Sequence, residues 1–232
     1  MASWIVHLRV ADALLEQAGP CPTEFVMGNL APDSGVPVGP VGVYRPDKPT
    51  SHFQLKNEDG EWEIRPERFV QRYMTAAQWA GYTAGQRAFY LGYYVHLLTD
   101  IRWVEDIFWP AAKTEWERFC ADRSGCILRW KQDWYDLDFL YLRQNPRLRT
   151  LALYRAAEGF ENRYIDLFSP TAFEERRQGI LDFYAAEPDG LDREYPYLTR
   201  EEMDRFVQKT VVWITQRLRT EGYFAADAAQ GG

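Results

Sequence analysis

Residues 89–103, FYLGYYVHLLTDIRW, follow a helical pattern and are apolar on nearly every side. A helix with no polar face has no surface to give to water, so it must lie in the interior with other elements packed around it. This one nevertheless carries His96 and Asp100, one helical turn apart and therefore on one face. An unpaired carboxylate in such surroundings costs several kcal/mol. Two arrangements remove that cost. Tyrosine hydroxyls can donate to Asp100 while His96 bonds a backbone group, or both side chains can hold a cation.

The rest of the chain predicts what would surround this helix. Residues 3–17 have Ser3 as an N-cap and place Trp4, His7, Ala11 and Leu14 on one stripe, which turns His7 inward. A short helix is predicted from Pro22 to Asn29. From Asp33 to about Arg65, Gly, Pro, Asp and Lys dominate without a sustained period, which predicts a long irregular segment with short extended pieces at 53–55 and 62–64. Loops of this length are uncommon unless they serve a function. Helices are predicted near 66–79, 84–104, 107–122, 126–144, 147–167, 170–186 and 199–220, with prolines near the breaks, followed by a frayed tail over 225–232. No repeat or linker divides the chain, so the expectation is a single all-α domain over residues 1–232.

Charge and composition narrow the function. With 27 basic against 34 acidic residues, the net charge of −7 opposes binding to nucleic acid or to an acidic membrane. No apolar run reaches the roughly 18 residues of a membrane span, so no stable membrane anchor is expected. Arg9 and Asp12 interrupt the first apolar stretch, which is unlike a secretory leader and makes a cytoplasmic location the expectation. Cys21, Cys120 and Cys126 form no C-x-x-C pair and read as incidental thiols. Nucleotide-binding glycine loops and a serine nucleophile elbow are absent from the sequence.

Three histidines, His7, His52 and His96, are all the chain has. Taken singly, each has an ordinary explanation: His7 and His96 as hydrogen-bonded core residues, His52 as an exposed loop residue, and Asp33 as a turn former. Their order is more informative. Trp4-x-x-His7, Gly28-Asn29-x-x-Pro32-Asp33, Ser51-His52-Phe53 and Gly92-x-x-x-His96-x-x-x-Asp100, spread over about the first 105 residues, together resemble the zinc-dependent phospholipase C family and the related zinc nucleases.

That resemblance implies a helical domain with a metal cluster in a cleft. Asp33, His52, His96 and Asp100 would hold one zinc, and His7 with the shared Asp100 would face another. Asp33 would also be the general base. The chain departs from the family's pattern at several points. Trp4 follows Met1-Ala2-Ser3, where secreted members use a terminal Trp as ligand, and no histidine follows His96 to supply the family's later ligands. Asp106 falls near the first missing position, and Asp133, Asp136 or Asp138 could replace a carboxylate, although a surface placement is expected for these three. One or two ions are therefore expected, and the nitrogen and oxygen donors suit zinc while also admitting manganese, iron or nickel.

The expected function is metal-dependent hydrolysis of a phosphodiester or phosphomonoester, either a phospholipid or a small soluble ester, by an activated water. Two alternatives stand beside it: a catalytically degenerate metal-binding scaffold, and a metal hydrolase of a non-phosphate ester or amide. Phe53, Tyr93, Tyr94 and Trp103 are expected either in the core or along a substrate pocket. Glu115-x-Glu117-Arg118 and Glu174-Glu175-Arg176-Arg177 read as solvated helix faces.

Overall fold

The 20-residue helix Ala84–Trp103 (α6 below) is the axis of the protein, and every residue from Ala88 to Asp100 is buried. Its start is fixed by a capping box, in which Thr83 Oγ1 accepts from Gln86 N and the Gln86 side chain accepts from Thr83 N. In this computed structural model, residues 1–39 and 43–225 are described, so the frayed tail expected after Ala225 lies outside the described residues.

The helices in chain order are α1 (Trp4–Leu14), α2 (Pro22–Leu30), α3 (Lys48–Ser51), α4 (Pro66–Tyr73), α5 (Ala76–Gly81), α6, α7 (Trp109–Thr114), α8 (Trp116–Ala121), α9 (Arg123–Gln144), α10 (Arg149–Ala156), α11 (Ala172–Phe183) and α12 (Arg200–Thr220). Strands are few: β1 (Val36–Pro37) pairs with β2 (Tyr44–Arg45), and β3 (Gln54–Lys56) pairs with β4 (Trp62–Ile64), both antiparallel. The protein is thus mostly helical, and none of its described helices is long and apolar enough to cross a membrane.

Helix α6 packs against α1, α2, α4 and α12. The contact with α2 is the closest in kind, because it is backbone against backbone. A Cβ on Gly92 would stand 2.0 Å from the Phe25 carbonyl oxygen, and one on Gly28 would stand 2.0 Å from that of Phe89. Only glycine permits this approach. It brings the Asn29 carbonyl within 2.7 Å of His96 Nδ1. Phe53, Tyr93, Tyr94 and Trp103 are all buried members of the core.

Several boundaries differ from the sequence reading. The predicted helix 66–79 breaks at Met74-Thr75, where Thr75 and Gln78 form a capping box that starts a new helix. Residues 104–108 form a π-helical turn, and the predicted helix 107–122 breaks again at Glu115, whose backbone leaves the helical region. The helix expected over 147–167 stops at Ala156, and the chain then runs through turns in which Asn162 holds the carbonyls of Ile165 and Phe168. Within 33–65 the extended pieces expected near 53–55 and 62–64 pair as β3 and β4, and the described residues add α3 and the β1–β2 pairing, which the sequence reading did not expect.

Three surface expectations also fail. Asp133 and Asp138 are buried: Asp133 accepts from Arg193 Nη1 and Tyr197 N, and Asp138 accepts from Ser3 Oγ and Tyr184 OH. Ser3 does sit at the N-cap position of α1, but its side chain makes no cap hydrogen bond and instead donates to Asp138. Arg177 is buried as well, where it pairs with Glu174 and donates to the Arg155 carbonyl.

Candidate metal centre

The structure brings all five sequence-predicted side chains together, from four separate elements. His7 comes from α1, His96 and Asp100 from α6, Asp33 from the 3-10 turn Ala31–Asp33 that ends α2, and His52 from the residue that terminates α3. Helix α3 is only four residues long but is well anchored: Asp47 accepts from Thr50 N, and the His52 N–H donates to the Lys48 carbonyl. Tyr93 OH donates to the Ser51 carbonyl, which ties α3 to α6.

Four donor atoms converge. His52 Nε2 lies 3.3 Å from His96 Nε2, 3.5 Å from Asp33 Oδ1 and 3.5 Å from Asp100 Oδ2. His96 Nε2 is 3.4 Å from the same Asp100 oxygen. These four distances match the edges of about 3.4 Å in a tetrahedron with about 2.1 Å bonds, while the sets whose atoms all lie within 4.8 Å of one another are Asp33, His52 and His96 on one side and His7, His96 and Asp100 on the other. The outer nitrogens of both rings are occupied, His96 Nδ1 at the Asn29 carbonyl and His52 Nδ1 at Ser51 Oγ, 2.9 Å away. A ring that donates through Nδ1 leaves its Nε2 lone pair free, and outer-shell contacts of this kind orient imidazoles toward a metal. Asp33 Oδ1 and Asp100 Oδ2 are buried without a hydrogen-bond partner, although burial of such oxygens is costly. The donors therefore fit a divalent cation, and these buried His and Asp groups could bind one.

His7 belongs to a second group with His96 and Asp100, all three buried. Its ring stacks on that of His96 with centroids 3.7 Å apart, and its Nε2 is 3.4 Å from Asp100 Oδ1. That oxygen also accepts from Ala2 N at 2.8 Å. Because His96 has one free nitrogen, it can serve only one ion. His96 is the residue common to both sets, and both ring nitrogens of His7 are buried without a hydrogen-bond partner.

The electrostatics suit metal binding. Burial opposes the charge on Asp100, but the adjacent imidazoles of His7 and His96 outweigh it and hold the carboxyl well below the usual range. Burial likewise opposes ionisation of Asp33, where Lys48, 3.5 Å away, and His52 prevail. Burial lowers His52, and it drives His7 down to about 4 with the help of His96. Both rings are neutral near pH 7, the state that ligation requires.

Two buried groups give the metal-free protein opposing pH dependences. His7 titrates lower in the fold than its ordinary 6.5, so its contribution to stability is full above about 6.5 and lost as pH falls toward about 4. Asp138 is raised by burial to about 7, so its contribution is full below the ordinary carboxylate value and lost as pH rises toward about 7. Thermal melts of chelated protein between about pH 4 and 7 are expected to separate them. Stability should rise more steeply with pH in Asp138→Asn than in wild type, and less steeply in His7→Phe; equal slopes in all three proteins would refute the assignment.

Other sequence candidates lie elsewhere. Asp106 is paired with Arg102 in the π-helical turn, 2.5 Å away, which also pairs with Glu105. Asp106, Asp133, Asp136 and Asp138 stand outside both donor groups. Glu115 does pair with Arg118, yet it also accepts from Trp130 Nε1. All three cysteines are free thiols.

Of the donors, Asp33 borders a cleft of about 530 Å³, whereas His7, His52, His96 and Asp100 are fully buried behind it; the walls of this cleft are not marked by the sequence. Trp4, Tyr44, Phe108, Trp134 and Tyr135 supply its apolar sides, and Trp4 Nε1 donates to Asp33 Oδ2 at 2.9 Å. Lys48, Lys131 and Arg176 also line it. No pattern in the sequence marks them, since they come from α3, α9 and α11 and meet only in the fold. Comparison of the chain with protein-family models, with curated proteins and with solved structures gives no match.

Proposed function

We propose that the protein is a metal-dependent phosphoesterase in which Asp33, His52, His96 and Asp100 hold one zinc ion at the floor of the cleft. The single observation that carries this reading is that His52 Nε2 lies 3.3 to 3.5 Å from donor atoms of His96, Asp33 and Asp100, two of them buried carboxylate oxygens without a hydrogen-bond partner. Their order along the chain, which resembles that of zinc-dependent phospholipase C, supports a helical fold of that type. When bound, the ion would lower the pKa of a water and stabilise charge on a phosphoryl oxygen.

The protein's own groups account for the remaining chemistry. Asp33 borders both the donor group and the cleft, and Trp4 Nε1 fixes its second oxygen. Being ionised at neutral pH, Asp33 can aim a water at phosphorus and receive its proton. The aromatic walls exclude solvent and cover an apolar leaving group. Asn29 and Ser51 hold the two imidazoles in the orientation and tautomer that ligation needs.

Metal analysis combined with a panel of phosphomonoesters and phosphodiesters tests this reading. Zinc with turnover is expected. Asp33→Asn is expected to keep part of its zinc while turnover falls by about 100-fold or more; unchanged turnover in that variant would remove Asp33 from the reaction. A second reading is a non-catalytic scaffold with a structural ion. It is favoured by the engagement of Asp106 with Arg102, which leaves the position of a further family ligand committed to an ion pair. Zinc without turnover on any ester would select it.

A further inference from the structure

The protein has a net charge of −7, yet the wall of the cleft beside Asp33 carries three cationic side chains, Lys48, Lys131 and Arg176, against one carboxylate, Asp33. Cations are rarely gathered in a partly enclosed space unless something negative joins them, since like charges repel more strongly as water is excluded. Lys48 is 3.5 Å from Asp33 Oδ1 and so partly committed. Lys131 and Arg176 are not: neither has a carboxylate within ion-pair distance among the described residues. Arg176 Nη2 donates to the Gly35 carbonyl and its guanidinium lies over the Trp4 ring, but its Nε is buried without a partner. Lys131 is half-buried, and burial together with the charge of Lys48 lowers its ammonium pKa, which is the strain of an unmatched cation.

We propose that Lys48, Lys131 and Arg176 form a phosphate clamp beside the metal donors and that the substrate is a doubly charged phosphomonoester, not a phosphodiester or a phospholipid with a cationic headgroup. The assignment of substrate class rests on the phosphoesterase reading, whereas the clamp itself does not need the metal. All three residues border the region of Asp33: Lys48 contacts it directly, Lys131 feels its charge, and Arg176 covers the Trp4 ring whose Nε1 donates to it. A phosphoryl group that entered over Asp33 would meet cations from α3, α9 and α11 at once. Guanidinium and ammonium groups fixed in this way stabilise charge on a transferring phosphoryl group. A monoester dianion gains from three cations where a diester offers one charge, and a trimethylammonium headgroup would be repelled.

Calorimetric titration with inorganic phosphate, on both chelated and zinc-loaded full-length protein, tests the clamp. Saturable binding is expected in both, weakened at least about tenfold by Lys131→Gln and by Arg176→Gln. It should be unchanged by Lys56→Gln, which removes an exposed cation that lies over Trp62 outside the cleft. No binding by wild type, or equal binding by both cleft variants, overturns the clamp. A second titration tests the class: phenyl phosphate, a dianion at about pH 8 because its second pKa is about 6, is expected to bind zinc-loaded protein at least about tenfold more tightly than diphenyl phosphate. Equal or inverted affinities overturn the monoester assignment. Zinc content measured on the same samples keeps the two readings apart: phosphate binding that depends on Lys131 and Arg176 in a protein unable to take zinc would support the clamp and discard the metal site.

Discussion

Replacing Asp100 by Asn is expected to abolish zinc binding while leaving the protein folded. Both carboxylate oxygens are in use, Oδ2 facing His52 and His96 and Oδ1 facing His7 and Ala2 N. The amide removes the negative charge on which a divalent ion depends. Its NH2 group can instead donate to a free imidazole nitrogen, which satisfies the metal-free arrangement. Loss of an outer-shell partner costs roughly 10–100-fold in metal affinity, and loss of a charged ligand should exceed that. The observable is zinc per chain after dialysis, read beside the melting temperature with and without chelator. Wild type should lose stability when chelated, because an ion that binds only the folded state stabilises it. Asp100→Asn should melt at one temperature in both conditions, and a variant with wild-type zinc content would end the proposal that Asp100 is a ligand.

That site was largely legible in the sequence, for a reason specific to it. A helix apolar on all sides must be buried, so the polar residues it carries, His96 and Asp100, must be satisfied by something within the protein. Where the sequence supplied no such conflict, the reading was weaker. Asp133 and Asp138 sit among charged and aromatic neighbours on α9, so nothing local distinguishes them from surface groups. They are buried because Arg193, Tyr197, Ser3 and Tyr184 arrive from distant parts of the chain. The cleft cations were invisible on the same grounds. Breaks at Thr75 and Glu115 were missed differently: helical periodicity continues through them, and a capping box or a local backbone turn overrides it.

Asn29 and Ser51 show how the fold converts ordinary residues into parts of a site. Neither offers a ligand in the donor groups, yet the Asn29 carbonyl and the Ser51 hydroxyl fix the two rings. The Asn29 contribution is made by its backbone, so no side-chain substitution there would remove the acceptor. What sets its position is the approach of α2 to α6, and the residues that permit that approach are Gly28 and Gly92.

Gly92→Ala is accordingly expected to destabilise the protein strongly, as Gly28→Ala on the facing helix would, since both place a Cβ 2.0 Å from a backbone carbonyl oxygen. The new Cβ would lie 2.0 Å from the Phe25 carbonyl oxygen and 2.8 Å from Asn29 N, both backbone atoms that cannot rotate away. The helices must separate, and the apolar contacts along the buried stretch of α6 must loosen with them. Overpacking of a core costs typically 1–3 kcal/mol and occasionally more, and a contact this short against backbone places the loss at about 3 kcal/mol or above. In a chain of this size that corresponds to a fall in melting temperature of roughly 10 °C. The local helical gain of Ala over Gly, about 1 kcal/mol, is too small to offset it. Zinc affinity should fall in parallel, because the Asn29 carbonyl is drawn away from His96 Nδ1. The comparison is Gly179→Ala, in α11, where an added Cβ meets nothing within 4 Å. That variant should melt at or slightly above the wild-type temperature and keep its zinc. If Gly92→Ala matched it in both respects, the close packing of α2 on α6 would not be what holds the imidazole in place.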